Sequence, residues 1–163
     1  SRPAHNRNAA LMNTTAKQTS NKNPKRGFLL DTNVISEVCK KEPNEAVLNW
    51  LGQNATDLYL SVVTIEEMRF GQFMMPKGKK QAALKQMIDS LLETYATKML
   101  SFDPHAAAQC AIFHEQAISS GYSPSIEDLM IASIAHVNDL VVVTRNTRDF
   151  DYLDIELLDP FAL

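Results

Sequence analysis

The chain has 163 residues, of which 45% are hydrophobic and 21% charged, a size and balance that fit one globular domain and exclude a second catalytic domain. The net charge of -3 hides an asymmetry, because residues 1–26 carry six basic side chains and no acid, which leaves about -9 on the remainder. Such an acidic body argues against broad electrostatic binding of nucleic acid, although a local basic rim around an acidic pocket stays compatible with it.

Membrane insertion and disulfide scaffolding are also disfavoured by the sequence. No apolar run approaches the roughly 20 residues of a membrane span, and the N-terminal stretch lacks the apolar segment of a secretory signal. Cys39 and Cys110 are too few and too far apart to indicate a disulfide framework or a zinc site. We therefore expect a soluble protein of the cytoplasm.

Residues 1–26 are rich in Asn, Lys, Ser and Thr and poor in large apolar side chains. Such a segment cannot bury enough surface to offset the entropy of ordering it. It is predicted to be a flexible basic tail, which is a cloning remnant, an extended start or an arm that touches RNA. A single domain is expected over residues 27–163.

Short apolar runs alternate with helical periodicities along this domain. Strands are predicted at residues 28–30, 58–63, 99–102, 140–143 and 155–158. Helices are predicted at residues 33–38, after Pro43, at 64–71, in a longer stretch that includes 84–95, at 104–120 and at 126–135. The alternation predicts an α/β fold, a three-layer α/β/α sandwich with a mainly parallel central sheet.

Two of these helices show an apolar face. In the helix after Pro43, the face is predicted to combine Val47, Leu48 and Leu51. The longer helix carries an apolar stripe at helical spacing between residues 84 and 95. The members of this stripe are Leu84, Met87, Ile88, Leu91, Leu92 and Tyr95. The stripe is either part of the core or a packing surface for a partner.

Four acidic side chains follow a strand or stand near the start of a helix: Asp31, Glu67, Asp128 and Asp149. Taken singly, Asp31 could cap its helix, and Thr64 with Glu67 or Ser125 with Asp128 could form a capping box. Taken together, they are expected along one edge of a parallel sheet, where ligand sites lie. Carboxylates gathered there repel one another unless a cation is bound or their pKa values shift. Mg²⁺ or Mn²⁺, which prefer carboxylate oxygen and water, would meet that need.

Four segments in this order resemble the PIN-domain family, most closely its VapC and FitB type toxins. They are residues 30–37 (LDTNVISE), 60–71 (LSVVTIEEMRFG), 128–135 (DLMIASIA) and 143–150 (VTRNTRDF). Each segment alone is weak evidence, but the ordered set is highly specific. The resemblance spans residues 27–163 and implies a PIN-like nuclease domain, a metal-dependent endoribonuclease that is usually held inactive by an antitoxin. It also implies a homodimer.

The resemblance further implies roles for individual residues. Asp31, Glu67 and Asp128 match the three acids that hold the ion, and Glu67 rather than Glu66 is chosen because it lies four residues before Gly71. The remaining site positions are Asn33, Thr144, Asn146 and Asp149, which supply the fourth acid or support the other three. Asp149 is expected to supply the fourth charge, while Asn146 supplies a neutral oxygen or a structural bond and Thr144 assists.

Basic residues near these segments are candidates for contacts to the RNA backbone. They are Arg69, Arg145, Arg148, Lys77, Lys79 and Lys80, although the three lysines equally fit a solvated loop. Two other enzyme or signalling classes are disfavoured. A phosphatase of the haloacid dehalogenase type would need an acid at position 33, which is Asn. A receiver domain would need a lysine after a late strand, where this chain has Arg145 and Asn146. A catalytically weak PIN scaffold that acts mainly through an antitoxin or DNA-binding complex stays open, because of Asn146 and the apolar stripe.

Overall fold

The computed structural model describes residues 26–163, so the tail predicted over residues 1–25 lies outside the described part of the chain. Five strands form one sheet: β1 (Phe28–Leu30), β2 (Leu58–Ser61), β3 (Met99–Leu100), β4 (Val141–Val143) and β5 (Leu157–Leu158). Their order is β3-β2-β1-β4-β5, and every neighbouring pair is parallel. The predicted parallel sheet is confirmed, with no antiparallel pairing among these strands.

Six helices connect the strands: α1 (Thr32–Val38), α2 (Glu45–Gln53), α3 (Val62–Met74), α4 (Lys79–Thr94), α5 (Pro104–Ser119) and α6 (Ile126–Val137). Because side chains alternate across a strand, Leu29 contacts a core built with α5 and α6, whereas Leu30 contacts a second core built with α1, α2 and α4. The sheet is therefore covered on both faces, as the predicted three-layer sandwich requires. No helix in residues 26–163 has the length and apolarity needed to cross a membrane.

The boundary between β2 and α3 differs from the prediction. The strand ends at Ser61 and the helix begins at Val62, two residues earlier than the sequence indicates. The Ser61 hydroxyl accepts a hydrogen bond from the Thr64 N–H at 3.3 Å, so Ser61 is the N-cap. The predicted capping role of Thr64 is wrong, because this buried residue already belongs to the helix.

The two apolar faces are used differently. In α2, Val47 and Trp50 are buried while Leu48 is 40% exposed, so the face predicted to include Leu48 is wrong. In α4, Ile88 is fully buried against the sheet, with partly buried Leu84, Leu91 and Tyr95 beside it. Most of the stripe is core, although Leu92 is 39% exposed.

The sheet register brings the functional segments together at the carboxyl ends of the strands. Leu30 of β1 lies beside Val143 of β4, and the Asp31 N–H donates to the Val143 carbonyl at 2.9 Å. Since β2 flanks β1 on the other side, residues that follow β1, β2 and β4 are neighbours in space. At the other end of the strands, before β1 begins, Arg26 forms ion pairs with Asp139, at 3.0 Å, and with Glu156.

Candidate active site

Asp31 is both a helix cap and the most buried acid of the site. Its Oδ1 accepts the Thr32 N–H at 2.8 Å, and its Oδ2 accepts the hydroxyl of Thr144 at 2.9 Å and the amide of Asn33 at 3.2 Å. Burial raises the pKa of Asp31, the hydrogen bonds lower it, and the Asp149 carboxylate adds to the rise. Helix capping does not exclude metal binding by Asp31, because a carboxylate has about four lone-pair positions and three of them accept hydrogen bonds.

Thr144 links the end of β4 to the end of β1. Its fully buried hydroxyl donates to Asp31 and accepts from the Asn33 amide and from the Asn146 N–H, both at 3.1 Å. Asn33 completes the link, because its Oδ1 accepts the Arg145 N–H at 3.1 Å. The predicted supporting residues therefore form one hydrogen-bonded network around Asp31.

Glu67 approaches the same network from α3. Because the helix begins at Val62, Glu67 lies in its second turn and points to Thr32, whose hydroxyl donates to Oε1 at 2.8 Å. The Thr32 and Thr64 hydroxyl oxygens are 3.1 Å apart. Burial raises the pKa of Glu67, with smaller contributions from Asp31 and other carboxylates.

Asp128 and Asp149 complete the set of acids. Ser125 caps α6 by accepting the Asp128 N–H at 3.2 Å, as predicted. Burial raises the pKa of Asp128 to about 6, and the carboxylates of Asp31, Asp149 and Glu67 contribute to that rise. Asp149 is exposed and belongs to a short 3₁₀ turn (Thr147–Asp149) that follows β4.

These four acids line one pocket of about 450 Å³, together with Asn33, Arg145 and Asn146. The pocket also includes α1 residues that the sequence analysis missed: Thr32, Ser36, Glu37 and Lys40. Positions 33, 36, 37 and 40 recur at the helical period, so a polar face following Asn33 was the available signal.

Two basic side chains, Lys40 and Arg145, also line this acidic pocket. Lys40 forms a 2.6 Å ion pair with buried Glu37, whose other oxygen accepts the Asn44 N–H at 3.0 Å. The Lys40 hydrogen bond is the main reason why the pKa of Glu37 is lowered. The guanidinium of Arg145 lies 4.6 Å from the centroid of the Phe161 ring, a cation–π contact that holds it in place.

The other predicted RNA contacts lie elsewhere. Arg69 pairs with Asp89 at 2.8 Å and donates to Gln72 at 3.0 Å, and it is not part of the pocket lining. Lys77, Lys79 and Lys80 are exposed around the junction of α3 and α4, also outside the lining. A role in binding RNA stays a prediction for these four residues.

Arg148 lines a neighbouring cleft of about 210 Å³ that shares Asp128 and Asp149 with the acidic pocket. Tyr122 and Tyr152 also line this cleft. Burial, with contributions from the two shared carboxylates, raises the pKa of Tyr152, so its hydroxyl stays protonated near neutral pH.

The donor set of the pocket fits a hard divalent ion. Asp31, Glu67 and Asp128 offer carboxylate oxygens, and the shared rise in their pKa values reflects burial and mutual repulsion that a cation would relieve. Within residues 26–163, no three His, Cys, Asp or Glu side chains form a ready-made group of metal ligands. Mg²⁺ suits such an arrangement, because it usually keeps several water ligands and needs only one or two carboxylates.

Comparisons with known proteins point to one family. A family model described as "PIN domain" matches residues 28–156. The "VapC ribonuclease Y4jK" of Sinorhizobium fredii is 37% identical over 136 residues, which cover 82% of this chain and 97% of that protein. "Toxin FitB" of Neisseria gonorrhoeae is also 37% identical, over 82% of this chain and 98% of its own length. A solved structure of FitAB bound to an IR36 DNA fragment superposes with a TM-score of 0.77 at 38% identity, over 83% of this chain and 96% of the other.

Proposed function

This chain belongs to the PIN-domain family, and from that premise we propose that it is an endoribonuclease that depends on Mg²⁺ or Mn²⁺ and acts as the toxin of a toxin–antitoxin pair. The observation that carries the proposal is the convergence of Asp31, Glu67, Asp128 and Asp149 on one pocket, although they come from four separate parts of the chain. The names of two relatives, a VapC ribonuclease and toxin FitB, support the reaction and the biological class.

In this proposal the ion would be held by Asp31, Glu67 and Asp128. Asp149 would serve a second ion site or contact a water bound to the first ion. The chemistry supplied by such an ion is activation of water and neutralisation of charge that develops on the phosphate. The chain itself fixes the orientation of Asp31 through Thr144 and Asn33. The raised pKa of Glu67 suits a group that orients a water or accepts its proton.

Lys40 and Arg145 would contact the phosphate backbone of the substrate. Both line the acidic pocket, and both are held by neighbours, Glu37 in one case and Phe161 in the other. Positive charge at this point offsets the repulsion between RNA and the acidic body. Asn146 contributes its backbone N–H to Thr144 and leaves its neutral side chain for the pocket.

The test is cleavage of an RNA pool by purified protein, with Mg²⁺, with Mn²⁺ and with EDTA. We expect fragments only with metal, and a loss of about 100-fold or more in Asp31→Asn, since even residues that merely support metal ligands change activity 10- to 100-fold. Asp154→Asn, an exposed acid outside the pocket, is the matched control. Equal cleavage in EDTA, or full activity of Asp31→Asn, would contradict the proposal.

The proposed partners are RNA, a cognate antitoxin and a second copy of the chain. The FitAB structure contains a relative at 38% identity in a DNA-bound complex, which supports an antitoxin. Light scattering of the purified chain tests the homodimer. The proposed location of this activity is the cytoplasm, where an RNA substrate and an antitoxin are expected to meet it.

A second candidate function is a catalytically weak PIN scaffold that acts mainly through an antitoxin or DNA-binding complex. One observation favours it: Asn146 stands where a further acid could be. The α4 stripe no longer supports it, since most of that stripe is core. Protein that binds Mg²⁺ but cuts no RNA with either metal would favour this candidate.

A further inference from the structure

The cleft beside the acidic pocket has the position of a substrate subsite. It measures about 210 Å³ and shares Asp128 and Asp149 with the pocket. Its other walls include Tyr122, Tyr152 and Arg148. A nucleic acid strand whose phosphate is cut at the shared carboxylates has its next nucleotide within reach of this cleft.

An aromatic platform forms part of the cleft. The rings of Tyr122 and Tyr152 are stacked, with centroids 4.0 Å apart and planes within 5° of parallel. Tyr152 covers one face of the Tyr122 ring, and Tyr122 as a whole is 46% exposed. Aromatic faces held in this way are the surfaces on which unpaired bases of single-stranded RNA stack.

The cleft also carries hydrogen-bond donors. The exposed side chain of Arg148 lines it, and a guanidinium can donate to the edge of a base. Stacking alone tolerates any base, whereas these donors would discriminate among bases.

We propose that this cleft binds one nucleobase of the RNA substrate, next to the scissile phosphate, by stacking on Tyr122 and hydrogen bonding to Arg148. The inference rests on the proposed ribonuclease function, which it extends by assigning part of the sequence specificity to a defined site. Tyr122 and Arg148 are the base-binding residues in this proposal, Tyr152 supports the Tyr122 ring, and the acids remain the catalytic ones.

Binding provides the first test, in an Asp31→Asn background that protects the probe. The probes are labelled single-stranded oligomers of A, C or U and an oligomer of equal length with the same sugar-phosphate backbone but no bases. Tyr122→Ala should bind the base-containing probes about 10-fold more weakly, as expected for loss of one stacked base, and the abasic probe equally well. Tyr122→Phe, which keeps the ring, should lose much less.

Ile112→Ala is the matched control, because it removes an equally exposed apolar side chain, 50% exposed on α5, outside the cleft. It should bind every probe as the parent does. If Tyr122→Ala weakens both classes of probe equally, or neither, the proposal is overturned. A change in oligomeric state without a base-dependent effect would assign the tyrosine pair to a protein interface instead.

Cleavage provides the second test. Sequencing of the RNA ends should show a base preference at one position beside the cut, and Tyr122→Ala and Arg148→Gln should each weaken that preference. Wild-type protein that cuts with a preference unaffected by Tyr122→Ala and Arg148→Gln would overturn the subsite alone. Protein that binds bases through Tyr122 but cuts no RNA would overturn the proposed ribonuclease and leave the base-binding cleft standing.

Discussion

Thr144 is the residue on which the orientation of Asp31 depends. Its buried hydroxyl makes three hydrogen bonds that join Asp31, Asn33 and the backbone of Asn146. A hydroxyl can do this because it donates once and accepts twice. Removing it takes one hydrogen bond from the buried Asp31 carboxylate, which keeps those of Thr32 and Asn33, and removes the acceptor of the Asn146 N–H. Loss of a partner by a buried charged group is costlier than the loss of one average hydrogen bond.

We therefore expect Thr144→Val, which keeps the shape of the side chain, to lower the free energy of unfolding by about 1–3 kcal/mol. RNA cleavage should fall as well, because Asp31 loses one of the three hydrogen bonds that orient it. Urea denaturation and cleavage rates measure the two effects. Thr144→Ser retains the hydroxyl and should stay close to wild type; equal losses in both variants would show that the methyl group, not the hydroxyl, matters.

Glu37 gives the domain a pH-dependent contribution to stability. The Lys40 hydrogen bond, with the Asn44 N–H and Arg145, lowers the pKa of Glu37 below its ordinary value of 4.5. The charged form is thus favoured by folding, so its contribution is complete above pH 4.5 and is lost as the pH falls through the lowered pKa.

Glu37→Gln should accordingly lower the melting temperature by several degrees at pH 7, and the gap from wild type should narrow below pH 4.5. Differential scanning calorimetry between pH 3 and pH 7 measures it. Glu42→Gln, at an exposed position in the following loop, is the control and should match wild type. A gap that is constant with pH would attribute the effect of Glu37 to packing.

Single residues show where sequence reasoning reaches its limit. Asp31 was predictable, since an acid directly after an apolar strand is a local pattern. The position of Arg69 was not, because its partner Asp89 lies on another helix and the pairing depends on how α3 packs against α4. Glu37 was missed because nothing local distinguishes a buried acid from a solvated one on a short helix.

At the scale of elements, α3 illustrates how a cap can override β propensity. Residues 62–64 are Val-Val-Thr, a β-branched run that favours a strand. Ser61 nevertheless ends the strand by capping the helix. The earlier start places Glu67 two residues further into the helix, in its second turn, where it meets Thr32. The existence of both elements was predictable, whereas the boundary depended on this one hydrogen bond.

Mutations in the apolar stripe of α4 can show which of its side chains belong to the core. Ile88 is fully buried and Leu92 is 39% exposed, although both belong to the same periodic pattern. Ile88→Ala should lower the free energy of unfolding by about 2–5 kcal/mol, the usual cost of a large-to-small change in a core. Leu92→Ala should cost less than about 1 kcal/mol, as measured by urea denaturation. Similar losses in the two variants would show that Leu92 is covered in solution, for instance by a partner.

At the scale of the molecule, the strand order assembles the site. The alternation of strands and helices was enough to predict a parallel sheet and a common edge for the acids, and the central position of β1 between β2 and β4 turns that edge into one pocket. The neighbouring cleft could not be predicted, because Tyr122 and Tyr152 are 30 positions apart in loops and meet only after the chain has folded.

The whole domain should respond to metal, since folding gathers Asp31, Glu67, Asp128 and Asp149 around one pocket and only the folded state can offer them jointly. A ligand that binds the folded state alone stabilises it by about 2.7 kcal/mol at 100 times its dissociation constant, which corresponds to about 5–10 °C for a domain of this size. We expect MgCl₂ to raise the melting temperature relative to EDTA at equal ionic strength. Asp31→Asn should lose this response and Asp154→Asn should keep it; an unchanged wild-type melting temperature in Mg²⁺ and in Mn²⁺ would contradict the assignment of these acids to a metal site.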